Sequence, residues 1–241
     1  MKFFVGLVLG CCLVSEVQAD VVAQWTFETS PPADVTSASI GSIAADTGSG
    51  TASGSHVSAA TVWSTPAGNG SANSLSANNW AIGDYFQFDV STVGFSGLTV
   101  TWDQTSSTTG PGVFNFEYRV GNSGAFTNAL SNYTVLPNSA TAPGLGAWNN
   151  TTAFAGYGFN VNLSSNPALN GQALVQFRLT VATDADAVPP GTIATTGTSR
   201  VDNFSVITAV PEPSSIALVS LTGFAVIMIA NRRRKSKSKL S

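Results

Sequence analysis

Phe114-Asn115-Phe116-Glu117-Tyr118-Arg119-Val120 decides the fold. Apolar residues occupy every second position and polar ones fall between them, the period of a strand with one face on a core and one in water. The same alternation recurs along the chain. Val21, Ala23, Trp25 and Phe27 share one face; Phe86, Phe88 and Val90 alternate with Tyr85, Gln87 and Asp89. Leu98, Val100 and Trp102 alternate with Thr99, Thr101 and Asp103, and Phe159, Val161 and Leu163 with Asn160 and Asn162. Val175, Phe177, Leu179 and Val181 face away from Gln176, Arg178 and Thr180. No comparable stretch shows helical spacing with caps. One-sided alternation favours antiparallel strands over a single core. Connections rich in Gly, Ser, Thr, Asn and Pro, at 48–55, 65–79, 106–112 and 184–197, complete the pattern of an all-β antiparallel β-sandwich or jelly roll. The low-complexity stretch 48–60 is expected to be a mobile loop.

Composition narrows the function classes. Residues 20–209 hold three arginines (Arg119, Arg178, Arg200), no lysine and eleven carboxylates, a net of −8. A nucleic-acid footprint needs clustered cations to displace counterions, so nucleic acid is excluded as a partner. Cys11 and Cys12 are the only cysteines and lie before this region, so its stability rests on burial and hydrogen bonds.

Candidate chemistry is sparse. His56, the only histidine, would have to serve any Ser-His-Asp triad, and no nucleophile turn accompanies it; it reads as a surface-loop residue. Asp46-Thr47-Gly48 matches the aspartic-protease triplet, but that chemistry needs two such triplets. No catalytic residue is assigned. Zinc is excluded by one histidine and no cysteine in the middle region. Asp202 is in phase with Phe204 and Val206, which points it inward, where a carboxylate needs a partner. A hydrogen-bonded turn or an arginine is expected, with a structural calcium as the other option. Asp184 and Asp186 read as solvated turn residues. Asp84, Asp89, Asp103 and Glu117 fall outward on strands, in solvated positions. Trp63, Trp80 and Trp148 lie beside loops, and with Tyr85 and Tyr133 are candidates for stacking on a sugar or for sealing the ends of the sandwich. Trp102 alternates with the core set and is expected to be buried.

The two ends carry an address. Residues 1–19 read as a signal peptide: Lys2, an apolar stretch from Phe3 to Val14, and the small-residue site Val17-Gln18-Ala19. At the other end, Pro211-Glu212-Pro213 precedes an uncharged apolar run from Ile216 to Ala230 and the cluster Arg232-Arg233-Arg234-Lys235. The prolines mark a linker, the run approaches the length of a transmembrane helix, and the cations hold the tail at 236–241 in the cytoplasm. The order of these three parts at 210–235 resembles a PEP-CTERM sorting signal. That resemblance implies sorting by an exosortase after export through the secretion machinery, an inner-membrane precursor, and delivery to the cell surface or exopolysaccharide matrix. Pro211, Glu212 and Pro213 would then be the sorting motif recognised by another enzyme.

Between the ends, residues 20–209 are expected to form one extracellular domain. Trp80-Ala81-Ile82-Gly83-Asp84-Tyr85-Phe86-Gln87-Phe88 and Gly197-Thr198-Ser199-Arg200-Val201-Asp202-Asn203-Phe204-Ser205-Val206 are similar to the sandwich of many PEP-CTERM proteins. The resemblance implies a galactose-binding-like or carbohydrate-binding-module-like jelly roll. A non-catalytic structural or adhesive role is the leading expectation, ahead of a carbohydrate-binding module for envelope polysaccharide and, further behind, a secreted hydrolase.

Overall fold

Stretches that alternate with period two bury their apolar face only by pairing side by side and closing against a second sheet. The computed structural model describes residues 19–139 and 146–208. The signal peptide and the sorting tail, with Pro211, Glu212, Pro213, Arg232, Arg233, Arg234 and Lys235, lie outside the described residues, apart from Ala19. Among the described residues no helix is long and apolar enough to cross a membrane.

The strands in chain order are β1 (Val21–Trp25), β2 (Val35–Thr36), β3 (Ser39–Ala44), β4 (Thr47–Gly48), β5 (Gly50–Ser55), β6 (Val62–Ser64) and β7 (Leu75–Ala77). They continue as β8 (Tyr85–Val90), β9 (Leu98–Ser106), β10 (Val113–Val120), β11 (Thr127–Thr134), β12 (Gly158–Asn162), β13 (Val175–Val181) and β14 (Ser199–Thr208). They form two antiparallel sheets. Sheet A runs β12-β9-β14-β7-β6-β2, with β1 on the remaining length of β14 and β4 beyond it. Sheet B runs β11-β10-β13-β8-β5-β3. The all-β antiparallel sandwich expected from the alternation is what forms.

The core lies between the sheets and is largely aromatic. Phe88 of sheet B stacks flat on Phe204 of sheet A, ring centres 3.6 Å apart, and Trp25 meets both rings edge-on. Trp102, buried as expected, stacks on Phe159 and tilts against Phe116. The expected core faces of β8, β9 and β13 are buried throughout. Val21 is a correction. A register shift between Val21 and Ala23 turns Val22 inward and leaves Val21 exposed.

The stretch read as a mobile loop is a second correction. Gly50–Ser55 is a strand paired on both sides, with β3 and β8. Its inward positions, Gly50, Ala52 and Gly54, offer nothing larger than a methyl group. Two indoles take up that space. A Cβ on Gly50 would come within 2.8 Å of the Trp25 ring, and one on Gly54 would overlap the ring of Trp63. Packing the sandwich therefore requires a featureless strand opposite its largest side chains.

Candidate functional site

Sequence pattern and strand order together build a polar lattice on the outer face of sheet B. Neighbouring strands place Ser55, Tyr85, Thr180 and Asn115 in one row. Ser53, Gln87, Arg178 and Glu117 make the second row, and Thr51, Asp89, Gln176 and Arg119 the third. The side chains are wired into one relay. Arg178 Nε donates to Gln87 Oε1 (2.7 Å), and Gln87 Nε2 donates to Asp89 Oδ1 (2.8 Å). From the other side, Arg119 donates to Gln176 Oε1 through Nε (3.0 Å) and Nη2, and Gln176 Nε2 donates to Asp89 Oδ2 (3.1 Å). Thr180 donates to Glu117 Oε2 (2.8 Å).

Phe126, from the turn between β10 and β11, roofs one part of the lattice. The Arg178 guanidinium lies 3.6 Å from the centre of the Tyr85 ring and 3.9 Å from that of Phe126. Arg119 lies 4.4 Å from the same Phe126 ring and donates from Nη1 to Gly124 O (2.9 Å). Burial lowers the Arg178 pKa, while Tyr85 works the other way and the Arg119 charge adds to the lowering; the group stays cationic. Gln87 and Gln176 are almost fully covered although they point away from the core. The face is thus a rigid, ordered polar surface with aromatic walls, unlike a row of mobile solvated side chains.

The other candidates fall elsewhere. Trp63, Trp80 and Trp148 are buried, at 0%, 6% and 7% exposure. Each indole N–H donates to a backbone carbonyl: Trp63 to Ser37, Trp80 to Ala77 and Trp148 to Ala67. Their ring faces are packed against protein, Trp63 and Trp80 in the core and Trp148 against Tyr157 in the loop at 146–157, so none is an open stacking platform. Tyr133 is buried too, its hydroxyl donating to Gln104 Oε1 (2.7 Å). Of the aromatic candidates, Tyr85 alone is not buried.

His56 corrects the surface-loop expectation. It is buried between Trp63 and Trp80, 3.6 Å from Asp84. His56 Nδ1 contacts Thr61 Oγ1 (3.1 Å), whose hydroxyl also reaches Ser58 O (2.9 Å). Nε2 has no well-formed hydrogen bond. Burial holds its pKa down to about 4, opposed by the nearby backbone of Asn78 and Asn79. Asp84, expected outward, is buried and ties two loops together, accepting from Val57 N (2.8 Å) and Ala81 N (2.7 Å). Asp46 is a turn clamp that accepts from the amides of Thr26, Thr29 and Ser30 and from both threonine hydroxyls. Asp184 is exposed, whereas Asp186 is buried and accepts from Val188 N (3.0 Å).

Asp202 is buried, but not on the core side. A bulge after it in β14, with Asn203 at φ 52°, shifts the phase and sets Asp202 opposite Asp103 on the outer side of sheet A. The loops at 66–74 and 146–157 cover it. Its oxygens accept from Asn69 N (2.8 Å), Ser71 Oγ (2.7 Å), Asn203 N (2.7 Å) and Asn203 Nδ2 (3.2 Å). The expected hydrogen-bonded turn is its partner. Four hydrogen bonds directed at one carboxylate suit an anion. Among the described residues no group of three or more His, Cys, Asp or Glu converges on a point. Burial is the largest influence on Asp202, pushing its pKa up to about 6 against the hydrogen bonds; the charge of Asp103 adds to the rise.

Sequence reading missed Arg119, Arg178, Gln87, Gln176 and Phe126 as a unit. Their outward phase was readable, and so was the fact that two of three arginines fall on such positions. What joins them is the order β10-β13-β8, which strand patterns do not disclose.

No protein-family model matches the chain, and no curated protein matches it. Solved structures with a similar arrangement include a cleaved adhesin domain of Lys-gingipain from Porphyromonas gingivalis, at 16% identity over 78% of this chain and 99% of that one, TM-score 0.40. A family 35 carbohydrate-binding module from Clostridium thermocellum matches at 21% identity over 62% and 88%, TM-score 0.34. A xylan-binding domain from Paenibacillus barcinonensis matches at 14% identity over 62% and 86%, TM-score 0.38. These are loose likenesses of strand arrangement.

Proposed function

We propose that the chain is an exported, non-catalytic adhesive protein of the cell surface or its polysaccharide matrix, with the outer face of sheet B as its glycan-binding surface. The observation that carries this reading is the lattice itself. Amides, hydroxyls, carboxylates and guanidinium groups stand in fixed positions beside the rings of Tyr85 and Phe126. Sugars ask for that combination, an apolar wall for the ring carbons and pre-oriented polar groups for the hydroxyls. Asp89 already has both oxygens engaged by amide donors, and Glu117 is held by Thr180, which suits holding better than proton transfer. The N-terminal signal and the Pro211-Glu212-Pro213 tail supply the address, with secretion machinery, membrane and exosortase as partners.

Migration of the full chain in native gels containing envelope-type polysaccharides tests the reading. Retardation should weaken about tenfold, near 1.4 kcal/mol, in Tyr85→Ala. Full retardation in that variant would place the binding surface somewhere else.

A further inference from the structure

We infer that the sugar held by this face is an acidic one, a uronic-acid unit of a polysaccharide whose carboxylate is taken by the terminal nitrogens of Arg178; the inference rests on the glycan-binding reading above. Arg178 is fixed on three sides. Tyr85 and Phe126 cover its two faces, and Nε is tied to Gln87. Among the described residues nothing accepts from Nη1 or Nη2, so four of its five donors are unspent, in a plane whose direction is set. A planar fork of this kind matches a carboxylate with two parallel hydrogen bonds, whereas a hydroxyl can use only one of them.

The charges around the fork agree. The His56–Asp84 contact is the one ion pair within 4.0 Å among the described residues, so neither Arg119 nor Arg178 touches a carboxylate among them. This holds in a region with eleven acids and three arginines. Asp89 and Glu117, the acids of the face, turn their oxygens to Gln87, Gln176 and Thr180. The face balances two arginines against two acids, while the rest of residues 20–209 carries Arg200 against nine acids. A polyanion is disfavoured by the net negative charge of the rest of the domain and meets a balanced face with a guanidinium free of carboxylates here. Arg200, in sheet A, also makes no hydrogen bond or ion pair among the described residues, but no aromatic ring stacks on it and nothing ties its Nε, so its guanidinium is not held in one direction.

The test pairs each acidic polymer with its own carboxyl-reduced form, so that only the carboxylate changes. The full chain, in non-ionic detergent, is titrated with polygalacturonate and polyglucuronate and with the reduced polymers. At least one acidic polymer should bind about tenfold tighter than its reduced partner, and Arg178→Lys should bring that ratio close to one. Equal affinity within both pairs overturns the inference and leaves the glycan-binding reading standing. Absence of binding to all four and to neutral envelope glycans overturns both. Because the polymer pairs need no variant, the result stands even if Arg178→Lys fails to fold.

Discussion

The outer faces of the two sheets carry similar chemistry and end in opposite states. On sheet A, Asp202 and Asp103 sit side by side beneath the loops at 66–74 and 146–157. Asn69 Nδ2 and Asn203 Nδ2 reach Asp103 at 3.1 and 2.9 Å, and Asn203 Nδ2 and three more donors close on Asp202. Trp148 and Tyr157 pack edge to face in the roof above. On sheet B the carboxylate is likewise saturated, but the relay that saturates it ends in a guanidinium with donors to spare. Exposure alone does not mark a binding surface. The distinguishing feature is a guanidinium whose direction is set: Arg178 lies between two rings with Nε tied, whereas Arg200 of sheet A makes no hydrogen bond among the described residues and has no ring to hold it.

Removing the roof attacks this contrast most strongly. Trp148→Ala should cost about 3 kcal/mol of stability, read by chemical denaturation, because a buried indole and its bond to Ala67 are lost together. Glycan binding, measured well below the unfolding midpoint, should be unchanged. A loss of binding would make sheet A's covered face part of the site.

Protonation sharpens the contrast through signs. The folded pKa of His56, about 4, lies below its ordinary 6.5. Between those values the unfolded chain takes a proton that the folded chain refuses, and stability falls by about 3 kcal/mol as pH drops. Asp202 behaves oppositely: its folded value of about 6 lies above 3.8, so the folded chain takes the proton first. Stability therefore rises by about 3 kcal/mol as pH falls from 6 to 3.8. Relative to the parent, His56→Gln should gain stability between pH 7 and 4, and Asp202→Asn should lose it. Parallel profiles in urea titrations across that range would contradict the burial assigned to both groups.

The legible part of the fold was the part where packing repeats. β8, β9, β10 and β13 announce themselves because each sets large apolar side chains against another sheet at period two. β5 is silent for the complementary reason: Gly50, Ala52 and Gly54 serve a core whose bulk comes from Trp25 and Trp63 on the facing sheet. In β3 a register shift spaces Ile40 and Ile43 with two residues between them, and in β11 two shifts blur the pattern. Of the candidate site, the outward phase of Tyr85, Asp89 and Glu117 was legible. The relay was not, since each of its links crosses between strands 57 to 91 residues apart or bends within one. Asp202 shows the limit of phase arguments. Its burial followed from the alternation, but one bulge moved it to the other side of the sheet.

The central claim is that sheet B's outer face, and not the loops over sheet A, holds the glycan. Hydroxyl-radical footprinting of the full chain with and without saturating polysaccharide measures this directly. The account predicts protection of Tyr85 and Phe126 with Trp148 and Tyr157 unchanged. Protection confined to residues 146–157, with Tyr85 and Phe126 as reactive as in the free chain, would contradict it.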